Sequence, residues 1–195
     1  MNYLAHAFLA DRHPENIIGN LAGDFVKGPI GNEFSHRVRR GIMLHRRIDS
    51  YTDFHPEVAA MKSAFSRGRR RFAGIILDIG FDYYLCRNWS KFSDESLREF
   101  IDTVYDILIS NHDSLPSGLA RVAPRLVAGD WLGYYRSLKG TGEILDRVAM
   151  RFRRENTLRG SIAEIENNHA QFEEGFLRMF PEVIVYAEKQ KRSLS

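Results

Sequence analysis

The sequence predicts an all-α, single-domain bundle of about eight to ten helices. Three observations carry this reading. Apolar residues recur three and four positions apart from one end of the chain to the other. No stretch alternates apolar and polar residues as a half-buried strand does. Cap residues, prolines and glycines cut the pattern into segments of helical length. At 195 residues the chain can bury one sizeable core, and 44% hydrophobic with 12% aromatic residues separates it from disordered sequences. The formal net charge of +3 permits an acidic macromolecular partner without calling for nucleic acid. The single cysteine, Cys86, rules out an internal disulfide and a cysteine-rich zinc site, and fits a reducing, cytoplasmic setting. No apolar run approaches the ~20 residues of a membrane span, and charged and histidine residues interrupt the first segment.

In chain order, Tyr3, Leu4, Ala7 and Phe8 make one face of a first helix, with His6 beside it. Such a histidine is either a hydrogen-bonded core residue or a ligand. Pro14-Glu15 opens a second helix, with Ile17, Ile18, Leu21, Ala22 and Phe25 inward and a stop at Gly28-Pro29. Asp24 lies in that apolar company, where a carboxylate wants a metal or an arginine unless the helix end exposes it. Asn32 is the expected cap of a longer third helix, which Pro56 ends near Asp53 to His55. Pro56 to Ser66 makes a short helix, followed by the basic cluster Arg67, Arg69, Arg70 and Arg71. Phe72 to Trp89 is the most apolar helix, yet it holds Asp78 and Asp82 four residues apart. Two such carboxylates repel, and a cation between them removes the penalty. Ser93 onward opens with cap chemistry and runs to His112. A loop, a shorter helix to Val127, a turn or helix at Asp130-Trp131-Leu132 and a stripe from Ile144 to Phe152 come next. Ser161 to Lys189 is read as one long helix, with His169 packed inside.

The chemistry concentrates in Leu44 to Pro56, L-H-R-R-I-D-S-Y-T-D-F-H-P. His45, Asp49 and Asp53 are spaced i, i+4, i+8, and each step of four turns about 400°, so they share one drifting stripe of a helix. Imidazole and carboxylate together suit Mn²⁺, Fe²⁺, Zn²⁺ or Mg²⁺. Arg46 and Arg47 flank the stripe, and a guanidinium fork clamps phosphate. The same spacing also fits an amphipathic helix with solvated ion pairs. Candidate residues therefore gather in residues 1–90, which leaves residues 91–195 as scaffold and partner surface. That set suits a helical metallohydrolase, with a metal polarising a phosphoryl oxygen and arginines offsetting its charge.

Five blocks in register bear on this: M-N-Y-L-A-H, G-N-L-A-G-D-F-V-K-G, H-R-R-I-D-S-Y-T-D, R-R-R-F-A-G-I-I-L-D and F-D-Y-Y-L. Together, over about the first ninety residues, they resemble the acyl carrier protein phosphodiesterase family. The resemblance implies a divergent, Mn²⁺-dependent relative of the all-α HD phosphohydrolases. It also implies hydrolysis of the phosphodiester joining 4′-phosphopantetheine to a serine of acyl carrier protein. By block, it implies Asp24, His45, Asp49, Asp78 and Asp82 as metal ligands or their immediate supports, with His6 next. Asp49, Arg46 and Asp53 are the expected catalytic groups. Arg47, Arg69, Arg70 and Arg71 are the expected contacts to an acidic carrier protein and its phosphate. Tyr83, Tyr84 and Phe54 are candidate linings for the pantetheine arm. The chain departs from the family pattern at Asn88, where a histidine is expected; an amide hydrogen-bonds but does not shuttle protons. A phosphohydrolase of nucleotides or other small diesters, and a non-catalytic RNA- or protein-binding helical module, are the other classes these residues allow.

Overall fold

Helix boundaries follow local cap chemistry in the computed structural model, which describes residues 1–194. Eleven helices form: α1 (Tyr3–Leu9), α2 (Pro14–Ala22), α3 (His36–Asp53), α4 (Pro56–Ala64), α5 (Ala73–Arg87), α6 (Leu97–Ser110), α7 (Ser117–Ala128), α8 (Trp131–Tyr134), α9 (Leu138–Ala149), α10 (Ile162–Asn167) and α11 (His169–Ser193). Among the described residues there is no strand. Prolines at the first helical position open α2 and α4, where the missing N–H costs nothing. Ser96 and Glu99 form a capping box at α6. No helix among the described residues is long and apolar enough to cross a membrane.

Several boundaries differ from the sequence reading. α2 ends at Ala22 rather than at Gly28-Pro29, which leaves Asp24 in the turn after it, and α9 runs from Leu138 to Ala149 rather than from Ile144 to Phe152. Ser35, not Asn32, caps α3, because its hydroxyl accepts from the Val38 N–H. The long C-terminal pattern is two helices, α10 and α11, broken at Asn168, whose side chain bonds back to the Glu164 carbonyl. With the four-residue α8, this split gives eleven helices rather than about eight to ten.

The core is one continuous cluster. Phe172, Phe176 and Phe180 stack along α11 and are fully buried. They meet Phe65, Phe81, Tyr84 and Phe92 of the surrounding elements. Tyr83 and Tyr84 therefore belong to the core, and Tyr83 shares a hydrogen bond with the half-buried His169. Neither lines the cavity beside His6 and Asp49, whose α5 wall is made by other residues.

The closest crossing is between α2 and α3. Gly19 and Gly41 face each other there, and a Cβ on either would overlap the partner helix's backbone. Without side chains in between, the two helices approach close enough to set His45 of α3 against the end of α2. Gly19→Ala is expected to force them apart and destabilise the fold by about 1–3 kcal/mol. A denaturant titration reads this as a lowered midpoint.

Candidate metal centre

Three helices bring polar groups to one point of this apolar interior. His6 comes from α1, His45 and Asp49 come from successive turns of α3, and Asn20 of α2 stands behind them. Both imidazoles are buried, while the Asp49 side chain is 34% exposed on the open side. The rings stack with centroids 3.8 Å apart. His6 Nε2 lies 3.0 Å from Asp49 Oδ1, and His45 Nε2 lies 3.0 Å from Asp49 Oδ2. One ligand atom of each of His6, His45 and Asp49 falls within 4.8 Å of the others.

Asn20 orients both rings. His45 Nδ1–H donates to the Asn20 backbone carbonyl at 2.8 Å. His6 Nδ1 faces the Asn20 side-chain oxygen at 3.0 Å. With both Nδ1 atoms engaged as donors, both Nε2 atoms present lone pairs towards the Asp49 carboxylate. Lone pairs and a carboxylate repel unless a proton or a cation sits between them. Histidines held by a carbonyl through the far nitrogen are the usual support of a metal site. The donor set therefore fits a divalent cation. Gly23 completes the pocket, since a Cβ there would overlap the His45 ring. Asn20 escaped the sequence reading. A polar residue on the buried face of α2, one turn before Asp24, was the signal available.

The electrostatics split the pair of histidines. Burial, reinforced by the neighbouring His45 charge, pushes His6 down to about 4. Burial also opposes charge on His45, but the facing carboxylates of Asp24 and Asp49 outweigh it and raise it to about 9. Burial works against ionised Asp49 as well; the bonds from His45 and His6 nevertheless hold it far below the usual carboxylate range. Without a cation, the cluster carries one proton on His45 between two carboxylates.

The other expected site residues divide. Asp24 follows α2 in the turn, its side chain 57% exposed and 3.6 Å from His45 Nε2. Arg46 donates to the Val26 carbonyl at 2.7 Å and so holds the turn that carries Asp24. Asp78 faces the same cavity, where its carboxylate pairs with the Met1 amino group at 2.9 Å. Asp53 is exposed and pairs with Lys62, close enough to Asp78 for their charges to repel. Asp82 is placed differently. It is fully buried, and its two oxygens accept from the Leu4 and Ala5 N–H groups at 2.8 and 3.0 Å. It caps the first turn of α1 from a distance and so positions His6. Burial pushes it up to about 7 despite those donors.

The arginines expected to hold substrate are engaged elsewhere. Arg47 bonds to Gln190 and Ser193 of α11. Arg69 and Arg70 donate to carbonyls of Thr157, Ser63 and Phe65, and Arg71 lies 4.9 Å from the Phe72 ring centroid. None of them lines the cavity beside the cluster. Phe54 is 86% exposed and does not line it either. His55 caps α4 and pairs with Glu182. Asn88 lies ten residues beyond Asp78, about 15 Å along α5. There it bonds to Tyr84 and Glu173, as a helix-end support remote from the cluster.

Sequence comparison places residues 1–183 within the family described as acyl carrier protein phosphodiesterase. The chain is 34% identical over 192 residues to the acyl carrier protein phosphodiesterase of Serratia proteamaculans, covering 98% of this chain and 100% of the relative. It is 35% identical over 191 residues to that of Photorhabdus laumondii, covering 97% and 96%. It is 33% identical over 191 residues to that of Escherichia coli O157:H7, covering 97% and 99%. No solved structure matches the chain.

Asp82→Ala is expected to strand two buried N–H groups and cost about 2–4 kcal/mol of stability. Asp82→Asn, which keeps one of the two acceptors, is expected to cost less and to weaken Mn²⁺ binding only in part, through a displaced His6. Calorimetric titration of Mn²⁺ into the folded Asn variant checks this, and affinity lost as completely as in His45→Ala would make Asp82 a ligand.

Proposed function

The chain belongs to the acyl carrier protein phosphodiesterase family, and from that premise we propose that His6, His45 and Asp49 hold a divalent cation at which its phosphodiester substrate is cleaved. The protein is a phosphodiester hydrolase acting on acyl carrier protein, and it releases 4′-phosphopantetheine from the serine of the holo form. The observation that supports the cation is the convergence of two Nε2 lone pairs and a carboxylate on one buried point. Mn²⁺ is the first choice; Fe²⁺, Zn²⁺ and Mg²⁺ accept the same donors. When bound, such a cation supplies Lewis-acid polarisation at the phosphoryl group.

The protein's own groups do the rest. Asn20 keeps both Nδ1 atoms protonated, so the Nε2 atoms stay available. Asp49 supports both histidines and faces the cavity. Asp24, exposed at the mouth and 3.6 Å from His45 Nε2, is held below the usual carboxylate range by that neighbouring imidazole. It is therefore ionised, and is the group we assign to accept a proton from the attacking water. Asp78 guards the opposite side of the cavity. An acyl carrier protein is small and acidic, so a chain of net charge +3 favours the encounter. We place the reaction in the cytoplasm, where the single Cys86 stays a thiol.

Two outcomes are expected. Incubation with holo acyl carrier protein and Mn²⁺ should remove the phosphopantetheine mass, and His45→Ala should abolish that shift. Loss of the arm without metal, or equal loss in the variant, contradicts the assignment. The second concerns pH. A cation must displace the proton that His45 holds up to about 9, so affinity should climb with pH towards that value and level off above it. Calorimetry in buffers of different ionisation heat should record about one proton released at pH 7.

A further inference from the structure

The cavity beside the cluster, about 230 Å³, continues away from the metal donors between α5 and α9. Its α5 wall is Ile75, Asp78 and Ile79, at i, i+3, i+4. Its α9 wall is Ile144, Arg147, Val148 and, just past the helix end, Arg151, at i, i+3, i+4, i+7. Each set is one helix face, so the two ridges oppose each other across the gap. Apolar side chains line both ridges, and the same cavity is lined by Asp24, Asp49 and Asp78, by Met1, whose amino group pairs with Asp49 and Asp78, and by Arg147 and Arg151.

The two guanidinium groups do not close on those acids. Arg147 leans on the Tyr134 ring, 5.0 Å from its centroid, and pairs loosely with Glu143 at 3.7 Å. Among the described residues, the Arg151 side chain makes no hydrogen bond or ion pair, although acids line the same cavity. A guanidinium left unpaired in a cleft beside a metal-type donor set is a ready seat for a phosphate oxygen. The apolar ridges suit the adjoining part of the substrate, since pantetheine carries a branched dimethyl unit next to its phosphate.

We propose that the α5–α9 cleft receives the phosphopantetheine arm, with Ile144 and Val148 closing on its branched unit against Ile75 and Ile79, and with Arg151, aided by Arg147, holding the phosphoryl oxygens. This rests on the substrate assignment above. It gives residues 138–151 a direct part in recognition, in place of the arginines at 47 and 69–71. At about 230 Å³ the cleft is smaller than most small-molecule pockets, which run from about 300 Å³ upward.

The test uses the full chain loaded with Mn²⁺ and reads binding apart from turnover. The probes are 4′-phosphopantetheine and inorganic phosphate, titrated calorimetrically. Val148→Trp fills the cleft from a half-buried helix face. It should weaken 4′-phosphopantetheine by about ten-fold or more while leaving inorganic phosphate within about two-fold. Arg151→Ala, an exposed position that should fold normally, should weaken both probes, and Arg151→Lys should restore part of the loss. The KM for holo acyl carrier protein should rise in Val148→Trp while kcat changes little. Unchanged affinity for 4′-phosphopantetheine in both Val148→Trp and Arg151→Ala overturns the proposal. A wild-type protein that binds 4′-phosphopantetheine in this cleft but never cleaves the carrier protein supports the cleft and contradicts only the reaction.

Discussion

Two stacked imidazoles aimed at one carboxylate impose the constraint on which the rest of this bundle depends. Rings 3.8 Å apart cannot both carry charge cheaply inside an apolar core. Nor can two Nε2 lone pairs face a carboxylate with nothing between them. One proton on His45 satisfies the arrangement incompletely, and a divalent cation satisfies it fully. The site is thus preorganised: the cost of burying its polar groups is met during folding, and a cation bound there would relieve it.

Much of the surrounding architecture serves that point. The Gly19–Gly41 contact draws α2 against α3 and sets Asn20 beside His45. Asp82 reaches from α5 to the first turn of α1 and fixes the height of His6. Arg46 ties down the turn bearing Asp24. Separate segments are thus each placed by a contact made among apolar neighbours. Losing any one contact displaces a donor and leaves an unsatisfied group behind. The aromatic spine of α11 supplies the bulk packing that lets such contacts persist away from water.

The sequence made the helical class legible because period-3.6 patterning is repeated in nearly every segment. The i, i+4 pair His45 and Asp49 was legible for the same reason, being adjacent on one helix. Long-range partners were not. Asp82 sits four residues from Asp78 on an apolar helix, and spacing alone makes the two look alike. Only the fold shows that one meets backbone N–H groups and the other a cavity. The arginine runs were legible as density of charge but not as placement. Arg47 and Arg69 to Arg71 are dense in sequence, but nearby carbonyls and α11 capture most of them. Arg147 and Arg151 lie in the half read as scaffold, and only the packing of α9 across α5 brings them to the cleft. Asn20 carried a signal, a buried amide on an apolar face, but its two imidazole partners lie 14 and 25 residues away.

The central claim is that a cation occupies the point shared by His6, His45 and Asp49. Crystals grown with Mn²⁺ and measured for anomalous scattering test it directly. One strong peak is expected between the two Nε2 atoms and the Asp49 carboxylate, at about 2.0–2.3 Å from each donor, with Asp82 still bonded to α1. A peak elsewhere, or none at saturating Mn²⁺ with the histidines still closed on Asp49, would contradict it.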